Sequence, residues 1–449
     1  MELQKLIFYN EWWKTGSVPE ELLKPHKRFL FNEIIDYFDD KQILSIIGLR
    51  RTGKTTILYQ LIDYLLYNKI NSKNILYFSF DDFTSQIEDL LETYREHLLE
   101  KNWRQAGRIY VFFDEIQKNK SWENILKKYY DLYPNLKFII SGSAGLDIDK
   151  KTKETLVGRI YDFKLNPLTF KEFIIFKNYK LPKLSAEFSF FKPVSSFLKT
   201  AYNKLSVYAS DIRLFLNEYL KKGGFPEIIA EMNPEKIKKY IHSSVIEKVI
   251  YQDIPRIFRI DEPELLYSIL KIISDNPGML VEYLSFANNL KRNRKTIANY
   301  FFYLQKSFLI TMLANYKGSQ LTSARKSKKI YLTDTGVINS LYERDFSDSS
   351  FMGKIIENTV INHLNPNLFW KNNGNEIDII VVKDKKVIPV EIKYRENIDK
   401  NDLKSINVFM NKYKQKTGII VTKNTFEIKK KENMELYFIP AWFLLTLLK

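Results

Sequence analysis

Between residues 42 and 170, short runs of β-branched and aromatic residues alternate with longer stretches of helical spacing. The strand-like runs are QILSIIG, NILYFSFDD, RIYVFFDE, LKFIISGS and RIYDFKL. Apolar strands separated by helical segments predict a parallel α/β sheet. From about residue 170 to 270 the apolar positions fall three and four apart, as in DIRLFLNEYLKK and KYIHSSVIEKVIYQDI, which predicts helices. After Asn276-Pro277-Gly278 come MLVEYLSFANNL, a basic turn, KTIANYFFYLQKSFLI and strand-like segments ending at KKIYLTD, the order of a winged helix. The last hundred or so residues pass from the helix-like GKIIENTVINHL to NEIDIIVV, KVIPVEIKY and TGIIVTK, which predicts a separate α/β unit. The expected divisions are an N-terminal helical segment over 1–41, an α/β core over 42–175, a helical region over 176–275, a winged helix over 276–340 and a second α/β domain over 341–449.

Composition narrows the class. A chain of 449 residues that is 45% hydrophobic and 27% charged is expected to form several globular cores. Its longest apolar stretch, Phe438 to Leu448, is broken by Pro440 and falls short of the roughly 18 to 20 residues a membrane span needs. The start, MELQKLIFYNEWWK, lacks the pattern of a secretory signal, so the expected location is cytoplasmic, with no membrane partner. Zero cysteines exclude thiolate chemistry, and the four scattered histidines argue against zinc. The excess of 70 Lys and Arg over 53 Asp and Glu, a net charge of +17, favours a polyanionic partner.

The sharpest local signal is Gly48-Leu49-Arg50-Arg51-Thr52-Gly53-Lys54-Thr55, which satisfies GxxxxGK[ST] between the strand QILSIIG and the helix TTILYQLIDYLL. There a glycine-rich turn brings backbone N–H groups and a helix N-terminus onto phosphate oxygens. Lys54 is expected to reach the β- and γ-phosphates of ATP, and the Thr55 hydroxyl to ligate Mg²⁺. Gly48, Arg50, Arg51, Thr52, Gly53 and Thr56 complete the candidate nucleotide-binding set. About sixty residues on, the strand Arg108–Phe113 ends in Asp114-Glu115: Asp114 is the expected metal-side carboxylate and Glu115 the candidate base for the attacking water. NILYFSFDD, lying between the two motifs, is read as the extra strand that sets hydrolytic P-loop proteins apart from small-molecule kinases. Ser143, and after it Ser141, are the candidate γ-phosphate sensors at the end of LKFIISGS, and Arg159 is a candidate arginine finger acting in its own subunit or a neighbour.

Charge is concentrated rather than spread. Ten Lys or Arg and no Asp or Glu lie between Tyr283 and Thr333. Lys291, Arg292, Arg294 and Lys295 bracket the start of the second helix of the expected winged helix, which suits double-stranded DNA as partner. Of these residues, Arg292, Asn293 and Arg294 are the candidate base readers. Lys317, Arg325, Lys326, Lys328 and Lys329 fall in the expected wing, where they would follow the phosphate backbone.

Taken together, GLRRTGKTT, FFDEIQ, ISGSA, LVGR, NPLTFKEF, GGFPE, KIYLTDTG and the late NEID and PVEIK resemble the archaeal-type AAA+ P-loop ATPases related to the signal-transduction ATPases with numerous domains. The resemblance implies an AAA+ ATPase core, a helical lid, a winged helix and a C-terminal domain of restriction-endonuclease-like fold. It also implies that Pro226, in Gly224-Phe225-Pro226, lies against the nucleotide base. In the last domain Asp378, Glu391 and Lys393 are arranged as in PD-(D/E)xK nucleases, and Glu357 on the preceding helix matches a further acidic position. Glu357, Asp378 and Glu391 would hold Mg²⁺, with Lys393 assisting the attacking water. Two readings stay open: an ATP-hydrolysing machine that engages DNA and cleaves it, or a nucleotide-dependent switch that recruits protein partners, with little turnover and an inactive nuclease-like domain. Assembly into a homo-oligomer is compatible with either.

Overall fold

A computed structural model describes residues 2–81, 85–143, 154–191, 193–258, 260–318, 328–342, 346–383, 386–431 and 433–448. The chain divides into two compact units, Met1–Asn166 and Pro167–Lys449.

The first unit is built on five strands, β1 (Ile43–Ile47), β2 (Ile75–Ser79), β3 (Ile109–Asp114), β4 (Leu136–Gly142) and β5 (Ile160–Lys164), in the order β2-β3-β4-β1-β5. All four pairings are parallel. Every residue of β1 to β4 is buried, which is why these runs are continuously apolar rather than alternating. β5 is an edge and correspondingly more polar. The order corrects one expectation: the strand inserted between β1 and β3 is β4, LKFIISG, whereas β2, from NILYFSFDD, is the outer strand beyond β3.

The outer edge of β2 is covered by the N-terminal segment, whose helices are Glu2–Tyr9, Trp12–Thr15 and Phe29–Ile35. The Asn10 side chain accepts from Tyr77 N at 2.7 Å and donates to Tyr77 O at 2.8 Å, imitating a neighbouring strand. Trp12 and Trp13 both donate their indole N–H to Ile75 O. An exposed strand edge is a template for aggregation, and these contacts close it.

The second unit starts with helices and ends on a nine-stranded mixed sheet. Its strands are β6 (Leu280–Val281), β7 (Ile310–Asn315), β8 (Lys328–Leu332), β9 (Leu368–Asn372), β10 (Asn375–Lys383), β11 (Lys386–Lys393), β12 (Thr417–Thr422), β13 (Glu427–Lys431) and β14 (Met434–Pro440). Their order is β13-β14-β12-β11-β10-β9-β7-β8-β6. Helices Pro263–Asp275, Tyr283–Asn289 and Arg294–Lys306 precede the antiparallel pair β7 and β8.

The sheet runs without a break across the expected division at 340–341. β7 pairs with β9 in parallel through Ala314 with Leu368 and Asn315 with Phe369, and Ala314 N and Tyr316 N donate to Asn367 O and Phe369 O. The strands of the last hundred residues therefore extend an existing sheet rather than forming one of their own. The apolar C-terminus becomes the end of β14 and the wholly buried helix Ala441–Leu447. Among the described residues no helix is long and apolar enough to cross a membrane.

Candidate functional site

At the C-terminal end of β1 the chain turns through Gly48 to Gly53 and enters the helix Lys54–Tyr67. Gly48 is required there, because a Cβ would stand 2.2 Å from Leu165 O. Gly53 caps the helix at φ +96°, a conformation that disfavours a side chain. The buried Thr52 hydroxyl donates to Leu49 O at 2.9 Å, closing the loop on itself. Arg28, which sequence reasoning passed over, donates from its two terminal nitrogens to Thr52 O and Asn166 O, both at 2.9 Å, and clamps the loop to the segment after β5. Arg51 sits at φ +65° on the exposed rim; Arg50 and Thr56 are half-buried.

The loop and the end of β3 meet. Lys54, 5% exposed, donates to Gly48 O and Leu49 O at 3.2 and 3.1 Å, with Glu115 Oε1 3.9 Å away. The Thr55 hydroxyl donates to Asp114 Oδ2 at 2.6 Å. Asp114 is further held by the hydroxyls of Ser141 and Tyr77 and by the N–H of Glu115. A hydroxyl and a carboxylate juxtaposed beside the phosphate loop are hard oxygen donors of the kind Mg²⁺ takes, so these residues fit that ion.

Glu115 adopts φ +51°, uncommon for a residue with a side chain and a mark of backbone strain. Burial pushes its carboxyl above the usual range; Lys54 opposes this, and Asp114 and Asp81 add to it. Gln117, also unforeseen, donates from one amide nitrogen to Glu115 Oε2 at 2.6 Å and to Ser143 Oγ at 3.0 Å. It links the candidate base to the first-choice sensor, while Ser141, the second choice, touches Asp114 directly.

Arg159 is placed differently from the rest. It forms a two-pronged pair with Asp131 at 2.9 and 3.2 Å, and its carbonyl accepts from Ile43 N. Ile43 begins β1 and the phosphate loop follows its other end, about 15 Å away at the usual rise per residue. The structure thus places Arg159 at the opposite end of β1 from the loop of its own chain.

In the second unit Pro226 is half-buried and opens the short helix Pro226–Ile228. The glycines before it are fitted closely: a Cβ on Gly223 would strike Asp334, and one on Gly224 would strike Leu168 O. The buried Asp334 carboxylate accepts from Gly224 N and Gly336 N at 2.9 and 2.7 Å. This pair of turns is what GGFPE and LTDTG share.

Lys291, Arg292, Arg294 and Lys295 are all exposed around the start of the helix Arg294–Lys306. Two of the candidate base readers are already engaged. Asn293 caps the helix by accepting from Lys295 N and Thr296 N, and Arg292 pairs with Glu262 at 2.6 Å. Glu262 lies outside the acid-free stretch, so the fold brings an acidic residue into a patch that reads as purely basic in sequence. Arg325 and Lys326 lie outside the described residues.

Lys329 corrects an expectation. It does not lie on an exposed wing but is 4% exposed, with its ammonium beside three carboxylates: Glu376 at 2.6 Å, Asp378 at 3.2 Å and Glu357 at 3.3 Å. Asp378 stands where the pairing of β10 with β9 slips between Ile377 and Ile380, and its other oxygen accepts from Ile392 N at 2.9 Å. Glu391 and Lys393 share a face of β11, as alternation predicts, and pair at 2.6 Å. Burial, reinforced by Asp378, pushes Glu357 up to about 7 and Glu391 up to about 8, against the pull of the neighbouring lysines. Among the described residues no group of three or more His, Asp or Glu side chains is arranged to hold a metal ion.

Comparison with known proteins finds three matched segments. Residues 40–174 match the model of the AAA domain, 213–348 that of a domain of unknown function (DUF8612) and 352–442 that of another (DUF4143). An uncharacterized protein of Haemophilus influenzae is 24% identical over 418 residues, covering 92% of this chain and 96% of its own. Two uncharacterized proteins of Methanocaldococcus jannaschii, MJ1544 and MJ1637, are 28% and 27% identical; they match over 81% and 91% of this chain and 78% and 88% of their own. The AAA match falls on the parallel sheet and its phosphate loop, so this part of the chain is similar to AAA domains.

Proposed function

We propose that this protein hydrolyses ATP at the loop of its first unit and that duplex DNA, held by the basic helix start of its second unit, controls the turnover. The observation that carries the hydrolytic half is the meeting of Lys54, Thr55, Asp114 and Glu115 at the ends of β1 and β3. Loop N–H groups and Lys54 bind the β- and γ-phosphates, the ammonium exchanging its carbonyl partners for phosphate oxygens. Thr55 and Asp114 would hold Mg²⁺, which when bound offsets phosphate charge. Glu115 orients a water and accepts its proton as oxygen attacks the γ-phosphorus, and the bond to the β-phosphate oxygen breaks to release ADP and phosphate. Ser143 and Gln117 keep Glu115 in register with the end of β4.

The DNA half is supported by exposed Lys291, Arg294 and Lys295 around the start of a 13-residue helix, where cationic side chains are open to phosphates. With Arg292 and Asn293 engaged elsewhere, phosphate contacts should dominate over base reading. The triple substitution of Lys291, Arg294 and Lys295 by Gln should weaken duplex binding at every sequence tested and lower the slope of log affinity against log salt by about 2 to 3, near one for each lost phosphate contact. Glu262→Gln, which releases Arg292, should strengthen binding. Fluorescence anisotropy at several salt concentrations, with ATP turnover measured in parallel, reads both. Native protein that neither binds duplex nor changes its turnover would favour the switch that recruits protein partners.

A further inference from the structure

The carboxylates that resemble a nuclease metal centre already have a cation. Lys329 Nζ has three protons, and Glu376 Oε1, Asp378 Oδ1 and Glu357 Oε1 stand at 2.6, 3.2 and 3.3 Å to accept them. The shell is braced from behind. Tyr331, two residues along β8 on the same face, donates to Glu357 Oε1 at 2.5 Å; Lys371 pairs with Glu376 at 2.9 Å; and Ile392 N holds the second oxygen of Asp378. Next to them, Glu391 is 4% exposed and its Oε2 is buried without a partner, a polar atom that an additional cation would satisfy. Mg²⁺ needs oxygens at about 2.1 Å in near-octahedral array and several charges free to receive it. Here the oxygens are spaced for an ammonium, and the position they surround is filled.

We infer that Lys329 replaces the divalent metal, so that Glu357, Glu376 and Asp378 form a metal-free ionic joint fastening β8 to β10 and to the helix Ser349–Leu364, and not a cleavage centre. The joint explains why a lysine is tolerated in a buried strand: each of its protons is matched, whereas removing one partner of a buried ionic group leaves an uncompensated charge. It also gives Glu391 its place. The unpartnered Oε2 is the oxygen that would complete a metal site if the ammonium were taken away. This inference is independent of the nucleotide reading and does not require DNA binding.

The test is Mn²⁺ binding, followed by paramagnetic resonance and calorimetry on the full chain carrying Asp114→Asn, which silences the candidate ion site of the first unit. With Lys329 present, no Mn²⁺ should bind that Asp378→Asn removes. Lys329→Met should gain one Mn²⁺, bound at least tenfold more tightly than by the parent, and lose it again in Lys329→Met with Asp378→Asn. Should Lys329→Met be unfolded without metal, Mn²⁺ should restore its fold and raise its melting temperature. A Mn²⁺ ion bound beside native Lys329 and lost with Asp378→Asn would overturn the inference. So would a Lys329→Met protein that folds without gaining an ion, or one that no ion can refold.

Discussion

Glu115→Gln should cut ATP turnover by about 10² to 10⁴-fold while leaving ATP affinity close to native. The substitution keeps the length and shape of the side chain, so the left-handed turn at φ +51° and the contacts around it survive. What is lost is the oxygen proposed to accept a proton from water. Lys54, Thr55 and the loop that bind phosphate are untouched, so the loss falls on the chemical step and not on binding. A pH profile adds a second readout. Because burial raises the Glu115 carboxyl, the native acid limb should lie above the ordinary carboxylate range, and it should be missing from whatever residual rate Glu115→Gln retains. Turnover assays paired with equilibrium binding of a slowly hydrolysed ATP analogue make the separation.

Gly48→Ala should strongly damage the first unit. The added Cβ would stand 2.2 Å from Leu165 O and 3.1 Å from its carbonyl carbon, and both are backbone atoms that cannot swing aside. Either the loop or the segment after β5 must move, and Leu165 is tied to β1 through Ile47 O at 2.7 Å. A clash of this kind in a packed interior costs about 3 kcal/mol, which for a unit of this size corresponds to roughly 6 to 12 °C in melting temperature. The same movement displaces the N–H groups aimed at phosphate, so affinity for ATP should fall together with stability. Gly107→Ala is the control: like Gly48 it lies outside the left-handed region, and its added Cβ would meet nothing nearer than Asn74 Nδ2 at 4.0 Å, so it adds the methyl without the collision.

Much of the first unit is legible along the chain because its chemistry is local. The loop is eight consecutive residues between a strand and a helix, and Asp114-Glu115 ends an apolar run. Strand order is not local. β4 lies between β1 and β3 because of where the crossover helices lead, and nothing in NILYFSFDD marks β2 as the outer strand. Arg28 and Gln117 escape notice for a related reason: one acts on Thr52 and Asn166, far along the chain, and the other through an amide that has no motif around it.

In the second unit the residues of the carboxylate group are legible and its centre is not. Helix, strand and ExK order point to Glu357, Asp378, Glu391 and Lys393. Lys329, however, reads as one more positive charge in a basic stretch. Alternation in KKIYL does put Lys329 on the face of Tyr331, and a tyrosine on that face is a hint of burial. The three acids that make burial possible come from β10 and a helix later in the chain. Arg292 and Glu262 show the same limit, since a count of charges along a segment cannot see an acid that folding delivers from outside it.

The central claim is that the loop after β1 binds and hydrolyses ATP, and it is tested most directly by phosphate release from purified native protein and from Lys54→Ala, with Mg²⁺, in the presence and absence of duplex DNA. Native protein should release phosphate, faster with duplex. Lys54→Ala, which removes the ammonium proposed to reach the β- and γ-phosphates, should fall to background in both conditions. Native-level phosphate release from Lys54→Ala would contradict the account, because the hydrolysis would then belong to some other site.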